Sequence, residues 1–184
     1  MVLSGRVDDY DVDSGTLIIH AKYDNVMDVA RKQYRDCEVR LDDGRTISAE
    51  QRRKTYALIR DIASWSGHYP DEVKEFTKWD FRGLYGYSDF SLSNVDMTTS
   101  KEYINYLIEF CIKNDVPCLD SLLNRTDDIN SYLYACLFYG KCAICGKDGE
   151  IHHHERIGLG RDRRSVVHLG MEAISLCRVH HNEA

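Results

Sequence analysis

The spacing of hydrophobic positions changes along the chain. Between Val2 and Leu41 short apolar runs suit β-strands, at Val2–Val7, at Gly15–Ala21 (GTLIIHA) and at Cys37–Leu41 (CEVRL), the last closing on the turn signal Asp43-Gly44. Asn25–Tyr34 reads as a helix between them. From Ser48 the period lengthens to three or four residues. Ser48-Ala49-Glu50-Gln51 is a capping box, and Tyr56, Ile59, Ile62 and Ala63 keep one helix face apolar until Gly67 stops it. Pro70–Leu84 predicts a second helix and 85–98 a loop. Thr99-Ser100-Lys101-Glu102 reads as another capping box, leading Tyr103, Tyr106, Leu107, Phe110 and Cys111 into a helix that ends near Asn114, before Pro117. A last helix is expected over Asp127–Tyr139, stopped by Gly140. Beyond Gly140 the periodicity gives way to sequence rich in Gly, Cys and His. The expected class is therefore α+β: a mixed α/β domain over residues 1–139, then a small metal-stabilised domain over 140–184.

Composition supports a globular chain: 43% of its 184 residues are apolar and 29% charged, with two prolines. No apolar run reaches the roughly 18 residues of a membrane helix, and the start lacks a secretion signal. A cytoplasmic protein without a membrane partner is expected. The net charge of −6 excludes a surface coated with nucleic-acid-binding residues. That charge is unevenly held, however. Residues 1–134 carry 17 Lys and Arg against 24 Asp and Glu, whereas 135–184 carry 7 against 6.

Six of the eight histidines and three of the seven cysteines lie in the last 43 residues. An odd cysteine total in a reduced compartment argues for metal binding over disulfides. Cys142-Ala-Ile-Cys145-Gly146 has the spacing of a zinc knuckle, two thiolates on a tight turn. Its partner pair is Cys177-Arg-Val-His180, and together they predict a structural Cys₃His zinc site. Cys37, Cys111, Cys118 and Cys136 read as small buried hydrophobes. Between the pairs lies Glu150-Ile-His152-His153-His154-Glu155, which predicts a strand. Successive strand side chains point to opposite faces, so His152 and His153 suit different jobs: one to hold a cation, the other to take a proton from water.

The order CxxCG … IHH … LCxxHH resembles the HNH (ββα-metal) nucleases, in their zinc-containing branch. The resemblance covers about the last quarter of the chain. It implies that His152 and His181 ligate a catalytic divalent ion (Mg²⁺, Mn²⁺ or another), that His153 is the general base, and that a phosphodiester is hydrolysed. It also implies a further ligand four residues past His181, beyond Ala184. His180 stands where a cysteine is commoner, which leaves His180 and His181 able to exchange roles, and His154 shares the strand face of His152.

Arg156, Arg161, Arg163 and Arg164 fall within nine residues with one acid, a composition suited to DNA phosphates. His168 carries no signal beyond a structural histidine. Over residues 45–115 the chain is similar to the phage Orf/NinB recombination mediators. That likeness implies a homodimer that touches single-stranded or branched DNA and single-strand-binding protein. The leading expectation is an HNH endonuclease of phage-type DNA recombination or processing, in the cytoplasm of a host cell. Its rivals are a non-catalytic zinc-stabilised DNA-binding mediator and an RNA-directed nuclease.

Overall fold

The computed structural model describes residues 5–23, 25–33, 37, 39, 44–153 and 172–183. Gly5–Asp11 (β1) and Thr16–Ala21 (β2) form an antiparallel hairpin. Its turn is closed by the Asp11 carboxylate, which accepts from the Asp13 N–H (2.9 Å) and the Ser14 hydroxyl (2.6 Å). β1 continues past the expected end at Val7 because all of its residues are exposed, so no buried face opposes Asp8 and Asp9. Of the strand expected over Cys37–Leu41 only Cys37 and Val39 are described, and neither is in a strand. The first helix, α1, runs from Val26 to Lys32.

Three longer helices form the core: α2 (Ala49–Ser66), α3 (Pro70–Tyr85) and α4 (Met97–Lys113). The Ser48 capping box is present, with Ser48 Oγ accepting from the Gln51 N–H (3.0 Å) and Gln51 Oε1 from the Ser48 N–H (3.1 Å). α2 ends at Gly67, whose φ of 75° only glycine adopts freely. At the head of α4 the structure corrects the expected cap. Asp96, three residues before Thr99, accepts from the Thr99 N–H (2.8 Å), and Thr99 and Ser100 are buried in the first turn. The reason is long-range: the Ile47 N–H donates to Val95 O (2.7 Å) and the Met97 N–H to Arg45 O (3.1 Å), so the extended chain is held up to Asp96 and the helix starts there.

Leu58, Ile59, Phe81, Tyr103, Ile104, Leu107 and Ile108 are sealed between these helices, each stabilising the fold by on the order of 2 kcal/mol. Thr77 and Tyr103 join hydroxyls inside it (2.7 Å). The Asp61 carboxylate of α2 is buried against the guanidinium of Arg125 in a short helix, α5 (Leu122–Arg125), and also accepts from the Leu119 N–H (3.3 Å).

The next helix, α6 (Ile129–Phe138), is capped by Asp128, which accepts from the Ser131 N–H (3.2 Å) and pairs with Lys101 (2.8 Å). Its buried side, Tyr132, Ala135 and Cys136, turns toward the Cys- and His-rich end of the chain. There Glu150–His153 (β3) pairs antiparallel with Ala173–Leu176 (β4), followed by α7 (Arg178–Glu183). β4 packs against α6, with Ile174 touching both the main core and the small cluster of Cys142, Leu176 and Cys177. No helix among the described residues is long and apolar enough to cross a membrane.

Candidate metal centre

The knuckle is a turn held by its own backbone. The Cys142 N–H donates to Lys147 O (2.7 Å) and the Gly146 N–H to Cys142 O (2.8 Å), with Gly146 at a φ of 71°. A bridge between Lys141 and Asp148 closes it, reinforced by their side-chain ion pair (2.8 Å). Gly149 lets the chain pass directly over this turn, since a Cβ there would lie 3.0 Å from the Cys142 nitrogen and 2.5 Å from Ser175 Oγ. The second pair comes from the junction of β4 with α7, where one helical turn carries Cys177 and His180 to the same side.

These two pieces converge. The sulfurs of Cys142, Cys145 and Cys177 and a ring nitrogen of His180 all lie within 4.8 Å of one another. Cys145 and Cys177 are 3.7 Å apart, and His180 Nδ1 lies 3.4 Å from Cys142 Sγ and 3.2 Å from Cys177 Sγ. Sulfurs on a tetrahedral zinc, with bonds of about 2.3 Å, stand about 3.8 Å apart, so the group fits that ion. The four residues can hold zinc, and three soft thiolates with one imidazole favour it over hard cations.

The electrostatics suit a thiolate site. Burial opposes ionisation of Cys142, yet the N–H groups of Cys177, Cys145 and Ile144, with the His180 ring, bring its thiol down to about 6. The His180 N–H, outweighing desolvation, likewise lowers Cys177. Cys145 is raised, first by burial and then by the neighbouring sulfurs, and contact with Cys142 raises His180.

His181 follows His180 on the same helical turn but turns away from the sulfurs. Its ring meets that of His152 edge to face, with centroids 4.5 Å apart. In β3, His152 pairs with Ile174 and His153 with Ala173; both histidines are half-buried. Two imidazoles at this separation can converge on one cation. His154, His168, Arg156, Arg161, Arg163 and Arg164 lie outside the described residues.

The family described as "Putative HNHc nuclease" matches residues 22–184. The chain belongs to the HNHc nuclease family. The HNHc match takes in the helical core as well as the Cys- and His-rich end, well beyond the last quarter on which the motif resemblance stood. No curated protein and no solved structure matches the chain.

Tyr132 was not legible as a site residue. Its buried hydroxyl donates to the Ala143 carbonyl inside the knuckle (2.7 Å), and so ties α6 to the metal centre. At helical spacing a tyrosine reads as core, and nothing local in the sequence announces this contact. Gly149 did leave a signal, as the second glycine of a short turn, but its reason is the packing of β4 beneath it.

Proposed function

We propose that this HNHc family member is a divalent-metal-dependent endonuclease that hydrolyses DNA phosphodiester bonds. The observation that carries the reading is the pairing of the His152 and His181 rings immediately beside the Cys142–Cys145–Cys177–His180 group. A zinc site needed only for folding has no use for either ring. Zinc is the structural ion of this reading, pinning α7 to the knuckle so that His181 is aimed at β3.

His152 and His181 would hold the catalytic cation, which supplies charge stabilisation for the attacked phosphate and the leaving oxygen. His153 is the general base. It follows His152 on the strand and points to the other face, opposite Ala173. The imidazole of a histidine is a side chain able to accept the proton of an attacking water. With two imidazoles and no carboxylate in the pair, the donor set suits Mn²⁺ better than Mg²⁺.

The finer reading carries over from sequence likeness. Residues 140–184 are the nuclease unit and Arg156, Arg161, Arg163 and Arg164 contact phosphates. Residues 1–139, similar over 45–115 to Orf/NinB mediators, direct the enzyme to single-stranded or branched DNA in phage-type recombination, as a homodimer in contact with single-strand-binding protein.

The test is cleavage of single-stranded, duplex and branched DNA with Mg²⁺ or Mn²⁺, comparing the wild type with His153→Ala and His152→Ala. Both variants are expected to keep their zinc and fold and to lose cleavage by at least about 100-fold. A His153→Ala protein as active as the wild type refutes the assignment of the base.

A further inference from the structure

The acidic balance of the chain makes an uncompensated basic stripe conspicuous, and α2 carries one. Arg53, Tyr56 and Arg60 recur at spacings of three and four, so they line one face of that helix, and all three are exposed. The other cations of α2 are engaged. Arg52 donates to the carbonyls of Leu92 (3.0 Å) and Ser93 (2.9 Å), and Lys54 pairs with Glu50 (3.0 Å) and Asp127 (2.6 Å). Among the described residues Arg53 and Arg60 have no acidic partner. On α3, which packs against α2, Asp71 and Glu75 are both paired with Lys74 (2.8 and 3.7 Å).

We infer that the Arg53–Tyr56–Arg60 face of α2 binds single-stranded DNA. The backbone positions of the two arginines are about 10 Å apart along the helix axis, and their guanidinium groups take phosphate oxygens, which match their planar forks. Between them Tyr56, with 36% of its surface exposed, offers a ring to a base. In a duplex the base faces are covered by their neighbours, so an aromatic ring flanked by two phosphate-binding cations selects an unpaired strand. The choice of DNA rests on the nuclease reading above; the stripe itself contains none of the residues of the metal centre.

Binding of the full chain to a fluorescent dT20 oligonucleotide and to a 20-base-pair duplex, followed by anisotropy across a salt series without added divalent metal, tests this. The Arg53→Ala/Arg60→Ala variant is expected to bind dT20 at least tenfold more weakly. Its slope of log K against log salt should fall by about 1.4, the value for two lost phosphate contacts on a single strand. Tyr56→Leu should weaken dT20 binding at least fivefold with little change in slope and little effect on the duplex. Lys22→Ala, an exposed cation of another region, controls for net charge. Wild-type affinity and slope in the double-arginine variant overturn the inference, as does equal loss of both DNAs in Tyr56→Leu, or a wild type that does not bind dT20. If the wild type cleaves DNA but the double-arginine variant binds dT20 normally, the stripe is wrong and the nuclease stands. If the wild type is inert with every metal while that variant loses dT20 binding and its salt slope, the reverse holds.

Discussion

Replacing Tyr132 by Phe removes a single oxygen from the contact between α6 and the knuckle. The side chain is 5% exposed, and burial pushes its phenol ionisation up, so the hydroxyl remains a donor at any working pH. Its acceptor, the Ala143 carbonyl, lies 2.7 Å away on a buried residue whose own N–H donates to Ser175 O (2.9 Å). The substitution leaves that carbonyl buried without its donor, at a cost of about 1–3 kcal/mol. If the knuckle opens against α6 when the metal leaves, zinc release should accelerate by roughly fivefold to a hundredfold, since about 1.4 kcal/mol is a factor of ten. Urea unfolding followed by circular dichroism gives the stability, and a chromogenic chelator gives the release rate. Tyr134→Phe, on the 67% exposed side of the same helix, should stay within about 0.5 kcal/mol of the wild type. A Tyr132→Phe protein that unfolds and releases zinc like the wild type would show that α6 does not support the metal centre.

Asp61→Ala should destabilise the helical core by about 3–5 kcal/mol in urea unfolding, because it strands the Arg125 guanidinium where the paired side chains are only 3% and 8% exposed; a loss under 1 kcal/mol counts against the buried pair. Cys142→Ser should abolish stoichiometric zinc by atomic absorption and unfold β3, β4 and α7 while α2–α4 remain helical, since the cluster around Cys142 has little apolar core of its own. A thiol brought down to about 6 from an ordinary value near 8.5 is stabilising as thiolate above the ordinary value, and that contribution fades as the pH falls toward 6. Zinc lowers the value further, so the ion should be fully retained at pH 7 and released only below about 6; half-loss at pH 7 contradicts the site described. Cleavage should be faster with Mn²⁺ than with Mg²⁺ at equal concentration, and the opposite order would argue that the His152 and His181 rings do not share the ion.

Helix boundaries set by local chemistry were readable in the chain. Ser48 and Gln51 cap each other, and Gly67 ends α2, because those interactions lie within a few residues of one another. α4 starts three residues before the cap its local sequence predicts because Asp96 and Thr99 are both good caps, and the choice is made by Arg45 and Ile47 about fifty residues upstream. The sequence pattern does not predict α5, because four residues are too few to show a period. At the site, the convergence of Cys142, Cys145, Cys177 and His180 was legible from spacing alone, since two short turns must each present two donors. The meeting of His152 with His181 was legible in part: a helix starting after the second pair turns His181 away from His180 and toward a cation held from the strand, and the family resemblance assigns both rings to that ion. Tyr132 and the basic stripe of α2 needed the fold itself, which decides which tyrosines are covered and which arginines lack a partner.

His180 and His181 are consecutive, yet one ring belongs to the sulfur group and the other meets His152. The backbone between them is a single turn, tied by the His181 N–H to the Cys177 carbonyl (2.8 Å), and cannot be redirected for one ring without the other. On the proposed reading the structural ion would act as an interlock: a chain stripped of zinc would lose the aim of His181 in the same event, and would fall silent rather than cut indiscriminately.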